Sequence, residues 1–457
     1  MANLETVFNN AKLTENGDST YNSTLDPLLD ILFMTEYYQN HLDEVKLGKS
    51  NIEKVFAMFI RDPRFGLGRR DLGRELMLQA GLSPDDIVLA GRYDDLLYKI
   101  TDDRARFSYI AGYLFSKCWN GDELAKKWMP RYSSKNLLLA REFAQMFHMN
   151  KQQYGHFIKS DTVENKLSRK DTDAIDFEHL PSLAMLKYYK RFMRGKDTSE
   201  RFSQYLEDVK SGKKNLNIST TTVYDIYRNR ESIDADLFFD KIEKISGSWL
   251  PIIDTSGSMC NLNDSLGKAL SIGHYLAKCS TYAPNKVVSF SSRPQLITLG
   301  SIEHEKQYSK RMSYYCQQHD EDWFNSIQSP YMREIESMKT GDCSNTDFGA
   351  VMALLKDIDD MPEYLIVLSD MEFDYGSRMS KDDTMTMFKS KGINTKIVWW
   401  NLNERTTTAP ETDSYGNIFI SGYNPMMLKY LQAGFDGKKF LKALLNEYSK
   451  NVLEKRQ

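Results

Sequence analysis

The sequence predicts an α-helical repeat domain, a HEAT-like solenoid open or closed into a ring, followed by an α/β doubly wound domain. Three observations predict it. The chain has 457 residues, more than one hydrophobic core usually supports. From about Pro27 to about Lys244 apolar residues recur at three- and four-residue spacing, the period of amphipathic helices. Beyond that point short apolar runs alternate with amphipathic stretches, the pattern of a mostly parallel sheet covered on both faces.

Residues 1–24 are polar and rich in Asn, Thr and Ser, an arm without a core of its own. The helical domain is placed at 25–245. Leu28-Leu29, Ile31-Leu32-Phe33, Val55-Phe56 and Met58-Phe59-Ile60 open the helical pattern. It continues over 70–80, 86–100, 105–119, 136–147, 151–157, 182–192 and 201–209. Gly81 followed by Ser83-Pro84-Asp85-Asp86 reads as a helix stop and a capped restart. No strict repeat is visible, which fits a degenerate solenoid. The second domain is placed at 246–457, with strands at 248–253, 286–290, 295–299, 364–368, 396–400 and 417–421. Helices are expected at 265–279, 348–358, 384–390 and 425–431. Residues 300–340, rich in Tyr, Glu and Lys, interrupt the alternation as an insertion.

Hydrophobic content of 41% and charged content of 27% are ordinary for a globular protein. Five scattered cysteines without a C-x-x-C pair argue for a reducing compartment, and against a disulfide framework or zinc ribbon. No H-E-x-x-H pairing supports a zinc hydrolase. No secretion signal and no bilayer-length apolar run is evident, so a cytoplasmic protein without membrane association is expected. Net charge is −3, but its distribution is uneven. Residues 104–230 hold 24 Lys and Arg against 14 Asp and Glu, a surplus of ten, and the flanking regions are acidic. That is either a polyanion footprint or a set of solvated helix faces.

The densest chemistry lies at 249–259, where the apolar run Trp-Leu-Pro-Ile-Ile enters Asp254-x-Ser256-x-Ser258. One carboxylate and two hydroxyls on a tight turn form an all-oxygen half-shell for a hard divalent cation. Ligands of open parallel sheets bind outside the carboxyl ends of the strands. Thr346, before the 348–358 helix, and Asp370, which ends the run 365–370, are placed to join them. The alternative is a turn whose serines cap the 265–279 helix. This set resembles the metal-ion-dependent adhesion site (MIDAS) of von Willebrand factor A domains. The resemblance implies direct ligation by Ser256, Ser258 and Thr346, with Asp254 and Asp370 acting through water. It also implies Mg2+ (or another divalent cation) and an open position for an acidic group of a protein partner. One departure is that Ser344 and Asn345 precede Thr346, where the family has glycines.

Catalysis is not expected. An aspartyl-nucleophile phosphatase needs a second carboxylate two residues on, and position 256 is Ser. There is no nucleophile triad and no phosphate loop, and His148 and His274 lie within helical patterns.

In the helical domain the stretch 61–76 is crowded with Arg61, Arg64, Arg69, Arg70 and aspartates around two glycines. It either presents guanidiniums to phosphate or pairs Arg with Asp to fix helix packing. Lys187, Lys190, Arg191 and Arg194 are interleaved with aromatics, so the basic residues are expected on one helix face and the rings inside.

The order of Glu15-Asn16-Gly17, Arg61-Asp62 through Arg74-Glu75-Leu76, Gly91-Arg92-Tyr93-Asp94-Asp95, Lys127-Trp128-Met129-Pro130-Arg131, Leu180-Pro181-Ser182 and Ser421-Gly422-Tyr423-Asn424-Pro425 resembles the Ro autoantigen family. Its members join a helical (TROVE) ring to a von Willebrand factor A domain. The chain is more similar still to Ro-like proteins of phages, large viruses and plants, which would place it in a host cytoplasm if phage-encoded. The resemblance implies a non-catalytic ribonucleoprotein component holding single-stranded ends of small non-coding or misfolded RNAs on the basic segment; the sequence leaves the oligomeric state open, with a monomer the favoured expectation. The eight basic residues just named are its candidate RNA contacts. The alternative is a metal-dependent protein-interaction adaptor without RNA binding.

Overall fold

The computed structural model describes residues 11–13, 19–21, 26–133, 135–196, 198–218, 221–260, 263–290, 293–305, 324, 326–339, 348–355, 360–370, 386, 388–402, 418–423, 430 and 436–454. The chain forms two compact units, residues 42–220 with 443–457 and residues 1–41 with 221–442.

The first unit is helical: α3 (Asn51–Arg61), α4 (Arg70–Gln79), α5 (Pro84–Ala90), α6 (Arg104–Trp119), α7 (Glu123–Trp128), α8 (Leu137–Met146), α9 (Lys151–Phe157), α10 (Val163–Arg169), α11 (Ser182–Arg194) and α12 (Ser199–Lys210). Local chemistry sets the helix ends. Ser50 and Glu53 close a capping box on α3, Ser83 caps α5 with Pro84 in its first turn, and Asp103 caps α6. The helix expected over 86–100 is shorter than its pattern. α5 stops at Ala90 because the Asp95 carboxylate captures the Arg92 N–H at 2.8 Å and folds 93–97 into a separate tight turn.

The second unit begins with a two-stranded antiparallel hairpin, β1 (Ala11–Leu13) and β2 (Ser19–Tyr21), inside the stretch expected to be an arm. Helices α1 (Pro27–Phe33) and α2 (Thr35–Asn40) follow. Its body is a six-stranded sheet of β3 (Trp249–Asp254), β4 (Lys286–Phe290), β5 (Gln295–Thr298), β6 (Tyr364–Ser369), β7 (Lys396–Asn401) and β8 (Ile418–Ser421) in the order β5-β4-β3-β6-β7-β8. Every pair is parallel except β4–β5. All six expected strands are present within a residue or two of their expected ends. Every residue of β3 and of β6 is buried. Pro251 is tolerated in the central strand where β3 pairs with β6, one residue before its ladder to β4 begins at Ile252.

Alternate residues face opposite layers. Leu250, Ile252, Leu365 and Val367 pack with Phe348, Val351 and Leu355 of α17 (Phe348–Leu355). On the other face α15 (Ser265–Cys279) lies so close that a Cβ at Gly273 would stand 2.4 Å from the Ile253 side chain. The sheet is thus covered on both faces, an α/β layer architecture.

The units do not divide at the grammatical break near 245. Helices α13 (Val223–Asn229) and α14 (Ala235–Lys241) belong with the sheet. The Tyr224 hydroxyl donates to Asp264 at 2.9 Å, and the Ile245 N–H donates to the Tyr275 hydroxyl at 3.0 Å. Within the insertion, α16 (Pro330–Ser337) supplies the buried Glu334. His274 of α15 donates from Nε2 to Glu334 at 2.7 Å, and Lys278 donates to its second oxygen at 2.6 Å. The Phe239 and Tyr331 rings meet the imidazole in T-shaped contacts. Its Nδ1 is buried with no hydrogen-bond partner among the described residues, which favours a neutral ring carrying its proton on Nε2.

Burial holds His274 below its ordinary value, against Glu334, which pulls it up; Lys278 and Lys244 add to the lowering. Burial pushes Glu334 up, but hydrogen bonds from His274 and Lys278 outweigh it and leave this carboxyl low. A lowered histidine contributes stability that is present above about pH 6.5 and lost as pH falls through its folded value. Urea unfolding at pH 7, 6 and 5 should show that loss. In His274→Phe the slope between pH 7 and 6 should be flatter; an unchanged slope would exclude His274 as its source.

Candidate metal site and basic surfaces

β3 delivers Asp254 to the carboxyl edge of the sheet, where it is fully buried. Parallel register with β6 sets Ser369 opposite, and its hydroxyl donates to Asp254 Oδ2 at 2.6 Å. The Ser256 N–H folds back to Oδ1 at 2.9 Å. Thr255 turns the other way and donates both N–H and Oγ1 to the Phe290 carbonyl at the end of β4. These bonds set the turn so that Ser256 Oγ and Ser258 Oγ stand 3.1 Å apart. Neither serine caps the following helix. That role belongs to Asp264, whose Oδ1 accepts the Gly267 N–H at 3.2 Å from a left-handed backbone conformation.

Asp370, one residue beyond β6, is buried too. Burial pushes Asp254 up to about 6, against the pull of Ser369 and Ser256, and the neighbouring Asp370 charge adds to the rise. A buried carboxylate only partly compensated by hydrogen bonds is electrostatically suited to a cation. The donor set is entirely oxygen, which fits a hard ion such as Mg2+. Among the described residues no group of three or more His, Cys, Asp or Glu forms a metal cluster, so a cation here depends on hydroxyl ligands. Thr346 lies outside the described residues.

The arginine stretch sorts into two kinds. Arg61 is buried, and its guanidinium pairs with buried Asp95 at 2.8 Å. It is therefore not presented to a phosphate, and its expected role as an RNA contact is replaced by packing. Arg74 bridges Asp95 and Asp94, and Arg70 joins Asp94 at 2.9 Å. Asp62 accepts the Arg64 N–H and the Tyr448 hydroxyl. This network ties α3, α4 and the 93–97 turn together. Arg64 and Arg70 are exposed and Arg69 is half-buried.

On α11 the expected division holds. Met185, Tyr189 and Phe192 are buried, whereas Lys187, Lys190, Arg191 and Arg194 are exposed. Arg191 spends one donor on the Leu167 carbonyl at 3.0 Å, and Lys187 lies 5.0 Å from the Tyr188 ring centre. Part of the acidity of this unit gathers elsewhere, in an open pocket of about 590 Å³ whose lining includes Asp173, Asp176, Glu178, Glu200 and Asp208.

Two domain families match the chain, each described as a domain of unknown function: DUF2828 over residues 124–238 and DUF7788 over residues 248–455. Uncharacterized protein L728 of Acanthamoeba polyphaga mimivirus is 24% identical over 507 residues, covering 92% of this chain and 84% of that protein. Among solved structures, the crystal structure of the Deinococcus radiodurans RO (RSR) protein is similar over 92% of this chain and 87% of that one, at 10% identity and a TM-score of 0.32. A TM-score that low bears on neither fold nor function.

If the serine turn holds a divalent ion, millimolar Mg2+ should raise the thermal midpoint of the wild-type protein. Ser256→Ala and Asp254→Ala should remove that increment; an equal rise in all three proteins would place the ion elsewhere.

Proposed function

We propose that the protein is a non-catalytic RNA-binding protein of Ro type, a chaperone or scaffold for small or structured RNAs in the cytoplasm. Its α/β unit would carry Mg2+ at the serine turn. The observation that carries the RNA reading is the exposed face of α11, where Lys187, Lys190, Arg191 and Arg194 stand side by side over a buried apolar face. It lies within a segment holding ten more basic than acidic residues. Backbone phosphates supply most of the affinity of such a surface, so binding is sequence-tolerant and salt-dependent. RNA with single-stranded ends suits it, because a deep, narrow A-form groove hides base edges from side chains.

At the sheet edge, Ser256, Ser258, Asp254 and Asp370 would hold the cation, with Thr346 as the further candidate ligand. With few carboxylates in contact, the ion keeps positive charge and can take a carboxylate or phosphate oxygen from a partner. That same cup supports the second reading, a metal-dependent adaptor for an acidic protein partner.

Binding to small single-stranded RNAs should weaken steeply between about 50 and 200 mM salt. Lys187→Glu combined with Lys190→Glu should lower both affinity and the salt slope; failure of the wild type to bind at low salt would reject the RNA reading. For the adaptor, partners recovered from lysate should be lost with EDTA and with Asp254→Ala, whereas RNA-bridged partners should be lost with ribonuclease.

A further inference from the structure

The helical unit holds an aromatic cluster used neither by the serine turn nor by the basic face of α11. Helix α6 ends on Trp119, whose indole is 70% exposed. Its ring stacks on Phe115 with centroids 5.8 Å apart and planes 23° apart. Phe115 stacks in turn on Phe157 of α9 at 5.4 Å and meets Phe147, just beyond α8, at 4.9 Å. The three phenylalanines are half-buried. Three helices thus build a ring stack whose outermost member faces water. Exposed leucines are commonplace, but a large aromatic surface held open on a rigid base is informative.

The charge around it indicates what covers it. Residues 104–159 hold ten Lys and Arg against three Asp and Glu, so seven of the ten surplus charges of 104–230 fall on α6–α9 and their connections. Arg141, Lys151 and Lys159 are exposed and form no ion pair among the described residues. Lys159 follows Phe157 by two residues, and Lys151 begins the same helix. Surfaces that dock protein are depleted of charge at their centres. An open aromatic stack on helices that also carry exposed cations matches unpaired nucleotides, whose bases offer π-faces and whose phosphates offer charge.

We propose that this cluster is a stacking platform for single-stranded RNA. An unpaired base covers Trp119, and the cations of α8 and α9 hold the adjoining phosphates. The proposal rests on the RNA-binding reading and deepens it. It gives that reading a preference for strand over duplex, because bases within a helix are already stacked on one another, and it requires no particular base.

The test is anisotropy of the full-length protein with three labelled probes: a ten-nucleotide single strand, an abasic ribose-phosphate strand of equal length, and a blunt duplex. Wild type should favour the first. Trp119→Ala should weaken single-strand binding by about 5- to 150-fold, the range for one lost stack. It should leave abasic binding unchanged, and Trp119→Phe should restore most of the loss. Equal single-strand affinity of wild type and Trp119→Ala overturns the platform while leaving RNA binding standing. No binding of any probe by wild type at low salt overturns both. Self-association of wild type that Trp119→Ala abolishes, with RNA affinity unchanged, makes the cluster an interface between copies and also overturns the proposal.

Discussion

The carboxylate of Asp254 is held out of water at the end of a strand buried along its whole length, and the arrangement of the sheet edge follows from that. An isolated buried carboxylate is costly, so its oxygens need donors, and the parallel register supplies them. Ser369 arrives from β6 on one side, and the chain turns sharply to bring the Ser256 N–H on the other. The turn cannot relax outward, because Thr255 is held by two bonds to the end of β4. Those bonds leave the hydroxyls of Ser256 and Ser258 side by side. The same geometry that makes the carboxylate tolerable in the fold thus builds the oxygen cup. The hydrogen bonds from Ser369 and Ser256 do not offset full burial, and Asp254 is pushed up to about 6. That deficit is what a bound cation would relieve.

The helical unit makes the opposite use of charge. Arg61, Asp95 and Arg74 are drawn inside as a linked set, each carboxylate oxygen of Asp95 taken by a different guanidinium. Deleting Asp95 would leave the buried Arg61 guanidinium without its ion-pair partner, the costly outcome for such networks. Their value lies in fixing how α3, α4 and the 93–97 turn meet. With Arg61 and Arg74 committed to packing, a polyanion would have to meet exposed cations such as those of α8, α9 and α11.

How much of this could be read from residues alone depended on the range of the interaction. Buried parallel strands are continuous apolar runs, so β3, β4, β6 and β7 announce themselves, and the Asp-x-Ser-x-Ser turn follows one of them directly. The inward and outward faces of α11 obey a three-to-four-residue period and were equally legible. Arg61 was not, because local sequence cannot distinguish a guanidinium offered to phosphate from one that Asp95 neutralises 34 positions away. The unit boundary was missed for the same reason. The grammar changes near 245, yet Tyr224 and Ile245 reach side chains of the next segment. The Trp119 stack has no local signature either, since its rings come from three helices spread over about forty residues.

A net charge of −3 does not oppose polyanion binding by such a chain. At physiological ionic strength exposed charges are screened beyond roughly 8–10 Å, so a phosphate responds to the cations within a turn or two of helix and not to the sum over the chain. Local surplus is therefore the relevant quantity, and it is concentrated in α6–α9, where the open aromatic stack also lies. The serine turn answers to different physics. Its carboxylate is buried beyond the reach of salt screening, so ion binding there would depend on the fixed spacing of oxygens. Raising salt should therefore separate the two proposed functions, weakening any phosphate binding at the basic surface while leaving any cation binding at the serine turn largely intact.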